Sequence, residues 1–301
     1  MDGILIVDKP EGFTSHDVVA RVRRILKTKK VGHTGTLDPF ATGVLVLLIG
    51  KATRLAQYLD KDVKEYDALV KFGYATDTGD RTGTRQQREA RERKTITPDD
   101  LIRVISGFMG EIKQVPPMYS AKKVDGQKLY ELARKGETVE REPVPVTIFK
   151  LQLSQDRLPP EAEAETFYLR FLVKCSAGTY IRTLAEDIGR ELGPEAHLGE
   201  LRRTAAGKFL LENAVTLEQL ETAEEPAAFL LSLAEAVSHL PAIALSEERA
   251  KKTLDGLSTR YPEGGLSEDD AVRMVNEAGD LIAIGQFDAA EQVIQPRVVL
   301  G

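Results

Sequence analysis

Residues 30–50, KVGHTGTLDPFATGVLVLLIG, set a single carboxylate, Asp38, in a loop of glycines and threonines that turns abruptly apolar. Pro39 biases Asp38 toward an extended backbone, and Gly35 and Gly43 permit tight turns on either side. A carboxylate fixed there can serve as a nucleophile or a general base. It can equally be a turn aspartate that satisfies nearby amides. A second candidate lies in CSAGTYIRTLAEDIG, where Arg182 follows a strand-to-helix turn beside Tyr180 and Ile181. Its guanidinium can pair in two-pronged fashion with a carboxylate; paired with Asp38, it would keep that acid ionised. The plainer reading pairs it with Glu186, four residues on. Tyr66, in KEYDALV, offers a ring to an extruded base or to the core. His33, in GHTG, is placed for hydrogen bonding.

Basic residues cluster at 21–30 (RVRRILKTKK), 85–94 (RQQREARERK) and 120–135 (SAKKVDGQKLYELARK), with Tyr119 and Tyr130 at or within the last. Phosphate contacts interleaved with stacking rings would look like this, as would solvated helix faces. No Walker loop, GxGxxG after a strand, GxSxG or zinc spacing is present. One cysteine, Cys175, excludes an internal disulfide. The scattered histidines His16, His33, His197 and His239 give little support to a metal site.

The elements that would position these groups follow from periodicity and punctuation. GILIVDKP reads as a strand ending at Pro10, and EGFTSHDVVARVRRILK as an amphipathic helix with Ser15 at its N-cap. GVLVLLIG, bounded by glycines, fits a strand buried on both faces. KATRLAQYL predicts a short helix and KEYDALVKFG a strand. Residues 74–95 read as a long exposed loop or arm. TPDDLIRVISGFMG carries a helix with Thr97 as N-cap, Pro98 at the first position and Asp100 completing a capping box. VPVTIFKLQL and TFYLRFLVKCS predict an antiparallel pair. A helix ends at Gly193, HLGELRRTAAGKFLL returns as a strand, and 216–240 look helical.

The 301 residues are 42% hydrophobic and 29% charged, ordinary for a soluble globular protein. Neither a membrane span nor a signal peptide is evident, so the expected location is the cytoplasm. The net charge of −6 conceals an asymmetry: residues 1–211 carry 35 Lys+Arg against 30 Asp+Glu, and residues 212–301 carry 6 against 17. A mildly basic body can face a polyanion while an acidic end sets the total. A domain boundary is expected near residue 240.

Taken in series, DKPEGFTSHDVV, KVGHTGTLDPFATGVLVLLIG, KEYDALVKFGYATDTGD, VPPMYSAKKVDGQKLYELARKG, CSAGTYIRTLAEDIG and AHLGELRRTAAGKF closely resemble the TruB family of bacterial tRNA pseudouridine synthases over about residues 1–215. The resemblance implies an α+β pseudouridine synthase fold, with a mixed, largely antiparallel central sheet flanked by helices in residues 1–240. Residues 241–301 would form a small C-terminal PUA-like RNA-binding domain. It implies isomerisation of uridine 55 in the T-loop of tRNA, with the target base flipped out and no cofactor or metal. Asp38 matches the catalytic aspartate, Tyr66 the tyrosine that stacks on uracil and Arg182 the partner of the aspartate. His33 matches a histidine that holds the T-loop, and Tyr180 and Leu201 match pocket-lining positions. Lys9 and Pro10 match an early motif that looks structural. The implied partner is the tRNA T-stem-loop, with no membrane, no obligate protein and a monomeric chain. Two other classes fit less well: an RNA-folding helper with an incidental catalytic residue, and a guide-RNA-dependent relative.

Overall fold

The structure is a computed structural model describing residues 1–59, 63–86, 96–120, 122–124, 126–137, 139–154 and 166–301. The elements run β1 (Gly3–Lys9), α1 (Ser15–Ile25), β2 (Val31–Thr34), β3 (Thr42–Ile49), β4 (Lys64–Phe72), α2 (Pro98–Gly107), β5 (Gly110–Gln114), β6 (Lys123–Val124), β7 (Gln127–Lys128), α3 (Leu129–Arg134), β8 (Val144–Leu153), β9 (Phe167–Cys175), α4 (Ile181–Leu192), β10 (Ala196–Ala206) and β11 (Phe209–Leu210). After them come α5 (Leu217–Thr222), α6 (Leu233–Ala236), β12 (Ala242–Ala244), α7 (Glu247–Leu254), β13 (Thr259–Arg260), β14 (Ala271–Val275), β15 (Leu281–Asp288) and β16 (Val293–Val299).

The main sheet has the order β1-β3-β10-β4-β9-β8-β5, with β2 beside β3 and β11 beside β10. Its pairs are antiparallel except β3 with β10, so it is mixed and largely antiparallel. The expected β8–β9 pair is present, in register from Ile148↔Cys175 to Leu153↔Phe171. A separate five-stranded sheet, β12-β14-β15-β16-β13, is built wholly from residues after Pro241.

The glycine-bounded apolar run forms β3, buried from Gly43 to Ile49. Alternation gives each face its own cover. Leu45, Leu47 and Ile49 pack with Val18, Val19, Val22 and Leu26 around α1. Val44, Val46 and Leu48 pack with Leu281, Ile284, Val298 and Leu300 of the C-terminal sheet. β4 alternates strictly, its even-numbered residues buried. Tyr66, Ala68, Val70 and Phe72 share a cluster with Ile181, Leu184, Ala185, Ile188 and Leu192, the apolar stripe of α4. The other face of the sheet is open and carries cross-strand ion pairs: Glu65–Lys174 at 3.0 Å, Asp67–Arg170 at 2.7 Å and Arg170–Glu200 at 2.8 Å.

Four expectations need correction. The N-cap of α1 is Thr14, whose hydroxyl and Asp17 form a reciprocal capping box; Ser15 lies inside the helix because its hydroxyl is engaged elsewhere. KATRLAQYL is a 3-10 segment, Gly50–Tyr58, with Thr53 donating back to the Gly50 carbonyl at 2.8 Å. Residues 216–240 are not one helix but α5, a 3-10 turn at Pro226–Phe229 and α6, interrupted at Pro226. Residues 74–80 are not part of an exposed arm, since Ala75, Thr76 and Asp80 are buried, whereas Arg81, Thr82 and residues 84–86 are exposed as expected. The segment folds back on β10 through Arg81 N–H to Leu198 O (2.9 Å) and Leu198 N–H to Gly79 O (3.0 Å). The remainder of that expected arm, residues 87–95, lies outside the described residues, as does part of the 120–135 cluster.

Candidate active site

The Asp38 loop is held from both ends. Ser15 Oγ donates to the Leu37 carbonyl at 3.2 Å and accepts from the Leu37 N–H at 2.9 Å, which ties the start of α1 to the residue before the acid. Lys9, fully buried at the end of β1, donates to the carbonyls of Pro10 (2.9 Å), Phe13 (2.6 Å) and Pro39 (3.3 Å). Burial lowers its ammonium pKa to about 8, against the pull of Asp38. Ala41 N–H closes the turn on Asp38 O at 3.1 Å. The early motif is thus a clamp on the loop that carries the acid.

Asp38 meets Arg182 in a two-pronged pair: Nε to Oδ2 at 3.0 Å and Nη2 to Oδ1 at 3.4 Å. Arg182 does not use Glu186 for this role. Its side chain is 5% exposed and that of Asp38 33%, so the acid faces the opening and the guanidinium lies behind it. Further donations run from Nη1 to Thr78 O at 2.9 Å and from Nη2 to Tyr119 O at 2.6 Å. A second carboxylate, Asp80, stands 3.7 Å from Nη1. Its Oδ1 accepts from Thr78 Oγ1 (2.9 Å), Thr82 N–H (2.8 Å) and Thr82 Oγ1 (2.5 Å). Burial raises the pKa of Asp38; Arg182 draws it down, Asp80 pushes it up and Lys9 draws it down again. The arginine therefore counters desolvation and favours the ionised acid.

Tyr66 on β4 and Leu201 on β10 share an apolar cluster with Leu37, Phe40 and Ala41 of the acid's loop and with Ile181. This cluster gives the acid an apolar wall. Tyr180 caps α4, with its backbone exchanging hydrogen bonds with the Gln114 side chain at 3.0 and 3.3 Å. His33 sits on β2 opposite Leu47. Its ring meets His16 edge-on at 5.7 Å, and its Nδ1 is buried with no hydrogen-bond partner among the described residues. Burial, His16 and Arg203 lower its pKa, leaving a neutral imidazole with a polar atom to offer. Among the described residues no group of three or more His, Cys, Asp or Glu is arranged to hold a metal. A groove of about 400 Å³ between β1, α1 and α5 includes Arg21 and Arg202 but none of Asp38, Tyr66 and Arg182. Its arginines are already paired, with Glu221 and Asp8 respectively.

Reading the sequence alone missed Asp80, Ser15 and Arg203. Asp80 lies in a stretch whose composition reads as an arm, although its run of Asp, Thr and Gly signals Asx and Ser/Thr turns. Ser15 reads from sequence as the cap that Thr14 in fact provides. Arg203 shares the strand phase of Leu201 and Ala205, which is the one signal that it faces inward.

The family model described as TruB family pseudouridylate synthase (N terminal domain) matches residues 23–181, and that of the tRNA pseudouridylate synthase B C-terminal domain matches residues 182–237. The chain is 43% identical over 307 aligned residues to a tRNA pseudouridine synthase B of Solibacter usitatus, covering all of both chains. It is 41% identical to one of Bacillus subtilis, covering 100% of this chain and 98% of that one. Among solved structures it resembles a chain of an H/ACA RNP bound to a substrate RNA containing 2'-deoxyuridine, with TM-score 0.74 and 26% identity over 99% of this chain and 85% of that chain. A chain of a Cbf5-Nop10-Gar1 complex gives TM-score 0.74 at 28% identity, with the same coverage. With an acid, its arginine and an apolar wall assembled from four distant segments, and with both family models matched in series, the protein belongs to the TruB family of pseudouridylate synthases.

Proposed function

We propose that the protein converts uridine 55 in the T-loop of tRNA to pseudouridine, with Asp38 as the catalytic group. The observation that carries this reading is the two-pronged Asp38–Arg182 pair beside the Tyr66–Leu201 wall, in a chain whose relatives are named tRNA pseudouridine synthase B. The C1′–N1 bond breaks, the uracil turns, C1′ bonds to C5, and the C5 proton leaves as N1 takes one up. Nothing is oxidised or reduced, so one carboxylate suffices. Asp38 acts on the ribose, either as nucleophile at C1′ or as base at C2′; both roles need it ionised, which Arg182 favours. The base must first leave its stack, at a few kcal/mol, and stacking on Tyr66 at about 1–3 kcal/mol offsets that cost. His33 and Tyr180 contact the displaced loop. Residues 1–240 form the catalytic unit and 241–301 an accessory RNA-facing unit. The enzyme works in the cytoplasm as a monomer that needs no guide RNA.

The test is turnover of unmodified tRNA transcript by the native chain and by Asp38→Asn, with no other RNA present. The native chain forms pseudouridine at position 55 and the variant forms none. Native-rate turnover by the variant would overturn the catalytic assignment, and activity of the native chain only with an added guide RNA would overturn the stand-alone reading.

A further inference from the structure

Among the described residues Arg203 is the largest side chain that the fold encloses completely, at 1% exposed. Nε donates to Val44 O at 2.6 Å and Nη2 to Gly35 O at 3.0 Å. Arg203 stands directly across from Tyr66 in the β10–β4 register, and while burial raises the phenol's pKa the guanidinium draws it down. No carboxylate pairs with it among the described residues. An enclosed charge left without a counter-charge is expensive, and here the chain is shaped to accommodate it. In register across four strands lie Gly43, Arg203, Tyr66 and Val173. A Cβ on Gly43, which has φ +99°, would fall inside the Arg203 backbone, and one on Gly35 would sit 3.3 Å from Nη1. The two glycines flanking Asp38 thus leave room for this arginine. Lys9 feels both Asp38 and Arg203, and Tyr66 feels both as well. Asp38 itself is acted on by Arg182, Asp80 and Lys9; Arg203 stands one residue further off, beside Tyr66 and Lys9, and adds a buried cation to that neighbourhood.

A surplus of buried positive charge suits an anion. Breaking C1′–N1 sends the electron pair to N1, so the uracil departs as an anion while Asp38 takes up C1′ or the C2′ proton. Attack by C5 at C1′ then frees Asp38, or is followed by return of its proton to C2′, and loss of the C5 proton with uptake of one at N1 completes the isomer. We propose that Arg203 is a positioning residue for this step: through Tyr66 it holds the phenol against the flipped base and supplies uncompensated positive charge that favours departure of the anionic uracil. This rests on Asp38 marking the active site. Preorganised charge of this kind acts strongly where water is excluded.

The experiment uses the full chain and a synthetic T-arm stem-loop carrying either uridine or 5-fluorouridine at the target position. The fluorine withdraws electrons and makes the departing anion easier to form. Single-turnover loss of the target N-glycoside is followed by nuclease digestion and mass spectrometry. Arg203→Met slows uridine by at least about tenfold and 5-fluorouridine by clearly less, with RNA affinity within about twofold of native because the residue is enclosed. Arg203→Gln, which keeps hydrogen bonds without the charge, behaves as Met does, and Arg203→Lys recovers much of the loss. Thermal melting confirms folding, and the Gln variant carries the test if Met does not fold. Equal slowing of both substrates, slowing by Lys as severe as by Met, or no slowing would overturn the proposal. Asp38→Asn is measured alongside: native-rate turnover there would indict the site assignment instead.

Discussion

Arg182→Lys isolates the geometry of the pair from its charge. Arg182 sends Nε and Nη2 to the two oxygens of Asp38 and spreads its remaining donors over Thr78 O, Tyr119 O and Asp80. A lysine ammonium is a single point and cannot span both oxygens of one carboxylate while reaching three other acceptors. It gives up at least one charge-assisted hydrogen bond to Asp38, worth about 1.5–3 kcal/mol. At 1.36 kcal/mol per tenfold, that is a rate loss of about ten- to a hundredfold. Because Arg182 is buried, it cannot contact phosphates, and tRNA affinity should stay within about twofold. The substitution also moves the acid limb of the pH profile. Burial already holds Asp38 above the ordinary carboxylate value and Arg182 is the main opposing influence; weakening that influence raises the pKa further, so activity is lost at higher pH than in the native chain. The assay is tritium release from tRNA labelled at uridine C5, in single turnover across a pH series, beside filter-binding affinity. An unchanged rate, a loss fully matched by weaker binding, or an acid limb that shifts down would refute the reasoning.

Gly43→Ala should lower the melting temperature by several degrees, since φ +99° and the Arg203 backbone both oppose a Cβ; a loss of about 1–3 kcal/mol is expected, read by calorimetry. Ser15→Ala removes both hydrogen bonds to Leu37 and should cost about 1–3 kcal/mol, with a lower catalytic rate and little change in tRNA affinity. Lys9 has a folded pKa of about 8, below its unfolded value. Above pH 8 the unfolded chain holds a proton at this site that the folded chain has shed, so this residue's contribution to stability rises with pH from 8 toward 10.5; the melting-temperature gap between the native chain and Lys9→Met should therefore widen from pH 7 to pH 9. Affinity for tRNA should fall steeply between 50 and 200 mM salt if the basic clusters release counterions, and a flat response would count against them.

The sequence was most legible where periodicity and punctuation agree. β4 shows its alternation, α2 its capping box, and β3 its enclosure as an unbroken apolar run between glycines. Asp38, Arg182 and Tyr66 could be named from local residue types, but their meeting could not: Arg182 lies 144 positions from Asp38, and only the antiparallel return of β10 and the strand-to-helix turn before α4 bring them together. The misread stretches fail for local reasons. Threonine–aspartate turns in 76–84 resemble solvent loops in composition, yet satisfy their own polar atoms and can be buried. Arg203 falls on the inward phase of β10, between Leu201 and Ala205, but an arginine at such a position reads first as a break in the apolar pattern rather than as a charge the site encloses.

The apolar cluster shared by β1, β3 and the C-terminal sheet makes that sheet part of the core it adjoins. Ile4, Ile6, Val44, Val46 and Leu48 pack with Leu281, Ile284, Val298 and Leu300. A chain cut near residue 240 would leave this face of β1 and β3 bare to water, and exposed apolar patches of that kind drive association. The C-terminal sheet is therefore a cover for the two strands that flank the Asp38 loop, and trimming it away would cost solubility before it cost any contact made by the acid.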